Sequence, residues 1–169
     1  EHIKSQPLPT GKQYYILRPC MVYGPRNKGN LNTLYQFVKK GVPYPFGAFK
    51  NQRTFLYVKN FIFYLQQIME KPIESGVYHL SDGESLSTKE LVNIVGESMS
   101  KKVQVWNVPA PVIKLMAKAG GMLGLFFNQH TLHKLTENMV VSNKKIARAV
   151  GEDLPYKSRA ALLETLRTF

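Results

Sequence analysis

Short apolar runs alternate along this chain with segments of helical period, and that alternation is the first guide to its fold. Residues 14–23, Tyr-Tyr-Ile-Leu-Arg-Pro-Cys-Met-Val-Tyr, are apolar without strict alternation, which predicts a strand buried on both faces, as in a parallel sheet. Gly24-Pro25 ends it. From Asn30 to Lys40, Leu31, Leu34, Tyr35 and Val38 fall at i, i+3, i+4 and i+7, predicting an amphipathic helix closed by Gly41. Val42 to Gly47 is extended and turn-rich, and Arg53 to Val58 reads as a short strand. Phe61 to Met69 predicts a strongly apolar helix, stopped at Lys71-Pro72.

Val77 to Ser81 is a second buried-strand candidate. Ser87 with Glu90 three residues on has the form of a capping box, opening a helix that runs to Met99. Val103 to Val108 alternates like a strand, and Pro109 to Gly120 reads as a helix led by prolines. Residues 120–138 carry no readable pattern. Met139 to Val141 suggests a short strand, Asn143 to Val150 a helix, and Ser158 to Thr168 a last helix after a Leu154-Pro155 turn. Strand and helix alternate throughout, without internal repeat or low-complexity linker, so the class is α/β.

Composition narrows the function more than the fold. With 169 residues, 44% hydrophobic and 20% charged, the chain can build a core and is neither disordered nor collagen-like. Its formal net charge of +12 raises nucleic acid, membrane surfaces and anionic small ligands as partners. The basic residues are spread in ones and twos, as at Lys39-Lys40, Lys101-Lys102 and Lys144-Lys145, each pair near a predicted helix end. That scatter favours a solvated surface, with cations at helix C-termini, over nucleic-acid or membrane-surface binding. No apolar stretch reaches the roughly 18 residues of a membrane span. Ala117 to Phe127 comes closest and is broken by Lys118 and glycines. The single cysteine, Cys20, excludes an internal disulfide and fits a reducing compartment, so a cytoplasmic location is expected. His130-x-x-His133 lacks the companion ligands of a metal site, and no metal is expected. The chain opens on Glu1 with no secretory leader and is expected to be the later part of a larger protein.

No G-x-G-x-x-G, G-x-x-G-x-x-G or Walker loop follows a first strand, so a phosphate-cradling turn is missing. What is present is a set of segments in a particular order. They are Arg18-Pro19-Cys20-Met21-Val22-Tyr23-Gly24-Pro25, a helix opening with Asn30-Leu31, and Pro45-Phe46-Gly47. Then come Arg53-Thr54-Phe55-Leu56-Tyr57-Val58-Lys59-Asn60, Val77-Tyr78-His79-Leu80-Ser81-Asp82-Gly83 with Ser87, and Asn143-Lys144-Lys145 through Leu154-Pro155. This order resembles the extended short-chain dehydrogenase/reductase family of NAD-dependent nucleotide-sugar epimerases and dehydratases, UDP-glucose 4-epimerase-like. It resembles the C-terminal portion only, over most of residues 14–168.

The resemblance implies the C-terminal part of a Rossmann-type fold: late parallel strands plus a small substrate-binding lobe spanning residues 1–169. The N-terminal dinucleotide-binding half would be absent. In that family a Y-x-x-x-K pair lies a short helix upstream of the R-P strand, so both catalytic residues would precede residue 1. No tyrosine in the corresponding place here has a lysine four residues on, and the resemblance places no catalytic residue in the chain.

Its binding residues carry over as follows. Arg53 matches the arginine that binds the sugar-nucleotide diphosphate, a task suited to a planar, always-charged donor fork. Asn30 and Leu31 match a helix start that offers an amide and a backbone N–H to the nucleotide; the plain alternative for Asn30 is an N-cap. Pro45 and Phe46 match positions beside the base, with a core turn as the plain alternative. Pro19 and Cys20 match positions whose backbone approaches the nicotinamide carboxamide. A small buried apolar residue is the plain reading of Cys20. Met21 stands at a sugar-facing position where many relatives carry a hydrogen-bonding Asn, and a thioether cannot replace it. Asn60 departs from the usual Asp.

The implied whole is an NAD- or NADP-dependent epimerase acting on a UDP- or dTDP-linked sugar, with a 4-keto reductase or dehydratase as the alternative. Its parent could form a homodimer. A non-catalytic binding module and a basic nucleic-acid-binding domain are the rival classes, and no nucleic-acid partner is expected.

Overall fold

The computed structural model describes residues 9–122 and 129–169. β1 (Tyr15–Pro19) pairs in parallel with β4 (Gly76–Leu80), Leu17 opposite Tyr78. β2 (Met21–Tyr23) pairs in parallel with β3 (Arg53–Tyr57), and β5 (Ser85–Leu86) adds to β3 antiparallel. The class is α/β, as the alternation of patterns predicted, with parallel pairing of the Rossmann type.

The apolar run 14–23 is two strands, not one. The Cys20 amide still donates to the Leu80 carbonyl at 3.0 Å, but the next residue, Met21, already faces Phe55. Pro19 brings no N–H to the ladder, and the chain changes partner there. β1 is also only half-buried from Tyr15 to Leu17, with Arg18 and Pro19 exposed, rather than covered on both faces.

The helices follow the apolar spacing closely. α1 (Asn30–Lys39) buries Leu31 and Val38, and Gly41, at φ +72°, closes it in the left-handed region a Cβ disfavours. α2 (Val58–Glu70) begins directly after β3, ahead of the expected Phe61, because Tyr57 stays extended and serves as its N-cap residue. α3 (Thr88–Ser98) carries the predicted capping box. Ser87 Oγ accepts from the Glu90 amide at 3.1 Å while the Ser87 amide donates to Glu90 Oε2 at 2.7 Å. α4 (Ala110–Met122), α5 (Gln129–Thr136), α6 (Lys144–Val150) and α7 (Ser158–Leu166) complete the order. The unreadable stretch therefore contains a helix.

Val103 to Val108 does not form a strand. Its Val105 bridges Tyr44, through the Tyr44 amide to the Gln104 carbonyl (2.9 Å) and the Trp106 amide to the Tyr44 carbonyl (2.8 Å), and its Asn107 bridges Phe46, where the Gly47 amide donates to the Trp106 carbonyl (3.0 Å). Met139 likewise makes one bridge, to Arg53.

Two cores result. One gathers Tyr23, Phe55 and Tyr57 of the β2–β3 sheet with α1, α3 and α7 through Leu31, Val92 and Leu162. The other sets Leu56 and Leu80 against Tyr64 and Ile68 of α2 and Ile146 of α6.

A buried polar knot ties these layers together. Asp82, just past β4, accepts from Asn60 Nδ2 (2.7 Å), from the Tyr57 amide (3.1 Å) and from the Tyr23 hydroxyl (3.3 Å). Asn60 in turn donates to the Tyr156 carbonyl at 2.9 Å and accepts from the Tyr156 amide at 3.2 Å. Burial raises the Asp82 carboxyl above the usual carboxylate range, with the donated hydrogen bonds opposing it. The departure at residue 60 now has a physical reason: an amide there can donate to Asp82, and a carboxylate could not.

Candidate nucleotide-diphosphate site

Arg53 opens β3 where three segments converge. Its backbone pairs with Leu86 of β5 on one side and bridges Met139 on the other. The second contact is reinforced by the Thr54 amide to the Met139 carbonyl and the Met139 amide to the Gln52 carbonyl, each 2.9 Å. The half-buried guanidinium donates through Nε to the Glu137 carbonyl at 3.3 Å. This holds the plane of the fork at the head of the strand.

Tyr44 lies beside it. Burial pushes the Tyr44 phenol up to about 12, partly offset by a hydrogen bond with Thr88 and by the nearby Arg53 charge. Thr88, the first residue of α3, also receives Asn51 Nδ2 at 2.7 Å. A fixed guanidinium beside a phenol that stays neutral at physiological pH, bounded by a buried amide and hydroxyl, is suited to an oxyanion with several oxygens. Tyr44, Asn51 and Thr88 were not singled out from the sequence. Only the alternation of Tyr44 with Phe46 hinted that both point inward.

The other residues are placed less uniformly. The N-cap of α1 is Gly29, not Asn30, and Asn27 Oδ1 accepts from the Gly29 amide at 2.6 Å. Asn30 is the exposed first helical residue, its amide among those a helix start leaves without an intrahelical partner. Leu31 is buried in the core, so only its backbone can serve a ligand.

The Phe46 ring is buried, 5.2 Å from the Tyr44 ring and 6.2 Å from that of Phe49, so it is a core element rather than a stacking platform. Pro45 beside it is half-buried. Met21 packs against the first core. Pro19 and Cys20 sit at the strand switch, at the C-terminal end of β1, where open α/β sheets receive ligands. The Cys20 amide is already engaged by Leu80. Desolvation of this half-buried residue pushes its thiol up to about 11, away from the reactive thiolate form.

One tyrosine–lysine pair has four-residue spacing, Tyr35 and Lys39 in α1. Tyr35 packs edge-on against Phe169 at 5.3 Å, which makes the pair structural. His133 is exposed and faces Glu137 at 3.7 Å; the His130 side chain lies outside the described residues. Among the described residues no cluster of His, Cys, Asp or Glu could hold a metal, and no helix is long and apolar enough to cross a membrane.

Comparison with known proteins bears on this geometry. No family model matches the chain. It is 28% identical over 158 residues to a UDP-glucose 4-epimerase from Vibrio cholerae, covering 91% of this chain and 46% of that protein. It is 30% identical over 118 residues to an N-acetyl-α-D-glucosaminyl-diphospho-ditrans,octacis-undecaprenol 4-epimerase from Escherichia coli O157:H7, covering 69% of this chain and 33% of that one. Among solved structures, the UDP-glucose 4-epimerase of Thermus thermophilus in complex with NAD superposes with a TM-score of 0.61 at 21% identity, over 94% of this chain and 47% of that one. The chain thus spans less than half the length of the curated relatives it matches.

Proposed function

Because this chain belongs to the extended short-chain dehydrogenase/reductase family, among its nucleotide-sugar epimerases and dehydratases, we propose that it is the substrate-binding portion of an NAD(P)-dependent nucleotide-sugar 4-epimerase. Residues 1–169 would act as one binding lobe, with no catalytic residue of their own. The observation that carries this reading is Arg53, clamped through Nε at the head of β3 beside buried Tyr44, Asn51 and Thr88. Its role is to hold the diphosphate. That group is common to the nucleotide-linked sugar of one relative and to the diphospho-undecaprenol-linked sugar of the other.

The remaining assignments are weaker in chemistry. The α1 start offers the Asn30 and Leu31 amides to the nucleotide, aided by the helix dipole. Pro45 and the backbone around Phe46 border the base. Met21 offers the sugar a surface without a hydrogen bond. For the nicotinamide cofactor, Pro19 and Cys20 supply backbone at its edge only, since the chain carries no glycine-rich turn to hold a pyrophosphate. Such a cofactor supplies the hydride exchange. This chain's part is to fix the sugar carbon against it by gripping the remote end of the substrate.

The test is calorimetric titration of UDP into the full-length protein carrying Arg53→Ala. Removing a charge partner from a half-enclosed site should weaken binding by about 2–5 kcal/mol, with Arg53→Lys recovering part of the loss. Unchanged UDP affinity in Arg53→Ala would overturn the diphosphate assignment.

A further inference from the structure

We propose that the outward face of α4, together with Trp106 and the lysine pairs beside it, docks on an anionic lipid bilayer. This inference does not depend on the nucleotide site. α4 turns Ile113 and Ala117 inward, while Leu115 is 68% exposed, Met116 57% and Val112 47%. Exposed Lys114 and Lys118 are interleaved with them. Just before the helix, Trp106 is 55% exposed, an indole of the kind that settles at the boundary between headgroups and acyl chains.

Two of the three lysine pairs are separated in sequence and adjacent in space. Lys101 Nζ donates to the Lys39 carbonyl at 3.3 Å, which gathers Lys39-Lys40 and Lys101-Lys102 on one rim. Lys102 and Trp106 line one open cleft, and Val42, 44% exposed, adjoins Lys40 through Gly41. For these two pairs the scatter that argued from sequence against a membrane surface is undone by the fold, while Lys144-Lys145 stays apart, beside Tyr78.

Charge complementarity selects the occupant. No Asp or Glu occurs between Glu97 and Glu137, nor between Glu1 and Glu70, so both segments that form this surface are free of carboxylates. A protein partner of mixed charge would leave these lysines unmatched, whereas a layer of anionic headgroups meets every one. Nucleic acid would satisfy the lysines and leave Leu115 and Met116 in water. Cations interleaved with exposed leucine and methionine, with tryptophan at the margin, suit an interfacial helix that lies in the membrane plane.

The experiment is co-sedimentation of the full-length protein with vesicles of phosphatidylglycerol and phosphatidylethanolamine, against vesicles of phosphatidylcholine alone. Two variants accompany the wild type: Leu115→Glu with Met116→Glu, and Lys101→Gln, Lys102→Gln, Lys114→Gln and Lys118→Gln together. Binding to the anionic vesicles is expected, weakened at least tenfold in each variant and by raised salt. Each surface lysine is worth about fivefold by the energy of a cation near an anionic leaflet. UDP affinity and thermal melting should stay at wild-type values, which separates this proposal from the nucleotide reading. The lysine variant keeps the test valid if the acidic one fails to fold. Absence of wild-type binding to anionic vesicles, or equal binding by the lysine variant, would overturn the proposal. So would RNA binding or self-association that Leu115→Glu abolishes while vesicles are ignored.

Discussion

Replacing Asn60 by Asp tests the buried knot most directly. Asn60 is fully buried, with its amide nitrogen 2.7 Å from Asp82 Oδ1 and 2.9 Å from the Tyr156 carbonyl. An aspartate there turns both donated hydrogen bonds into oxygen–oxygen contacts and brings two carboxylates together. At an effective dielectric near 20, two charges about 4 Å apart repel by about 4 kcal/mol, so the pair must take up a proton or lose that much. Proton uptake in the native state gives the sign. The native protein then binds more protons than the unfolded chain above the ordinary carboxylate range, so stability falls as pH rises through the raised native value.

Asn60→Asp is therefore expected to cost about 3–4 kcal/mol near pH 7.5 and about 1 kcal/mol near pH 4.5, where one shared proton restores a donor. Urea unfolding of the full-length protein at the two pH values measures it. A loss under 1 kcal/mol at pH 7.5, or the same loss at both, would refute the reasoning.

Three further outcomes follow from other parts of the fold. Gly96→Ala should destabilise by about 1–3 kcal/mol despite alanine's better helix propensity, because a Cβ there would sit 2.5 Å from Val103 Cγ2 and 2.7 Å from the Lys101 carbonyl; a higher melting temperature would contradict the tight approach. Ser87→Ala removes the capping box and should cost about 0.5–2 kcal/mol, read by chemical denaturation. Cys20, with its thiol pushed up to about 11 against a reference of 9.0, should react with a disulfide reagent at pH 8 about a hundredfold more slowly than an unshifted thiol. Labelling at the rate of an exposed cysteine would show that the strand switch is open.

The readable parts of this fold were those governed by neighbours in sequence. The spacing of Leu31, Leu34, Tyr35 and Val38, the Ser87–Glu90 box and the Gly41 terminus are local devices, and each produced its element. The choice of strand partner is not local. Nothing in residues 14–23 says that Tyr15–Pro19 will pair with β4 and Met21–Tyr23 with β3. Asn60 looked like a defect until Asp82 stood opposite it, and two of the three lysine pairs looked dispersed until Lys101 met Lys39. At the candidate site Arg53 was visible through the family resemblance, whose matching arginine binds a diphosphate. Tyr44, Asn51 and Thr88 were hidden because their roles arise only when a turn, a strand and a helix start meet.

The reach of the Asp82 knot bears on how the chain acquires its structure during synthesis. The Tyr23 hydroxyl also lies 3.3 Å from the Ser158 carbonyl, and Asn60 is completed by Tyr156, partners 135 and 96 residues away. Until that late segment has emerged from the ribosome, Asn60 lacks two of its three hydrogen bonds and the Tyr23 hydroxyl lacks its contact with the Ser158 carbonyl. Closure across so long a loop comes late in folding, after local helices and strand pairs have formed. The nascent chain would pass through a stage in which its central layers are assembled but unlatched, and in that interval holdase chaperones and proteases would find it most accessible.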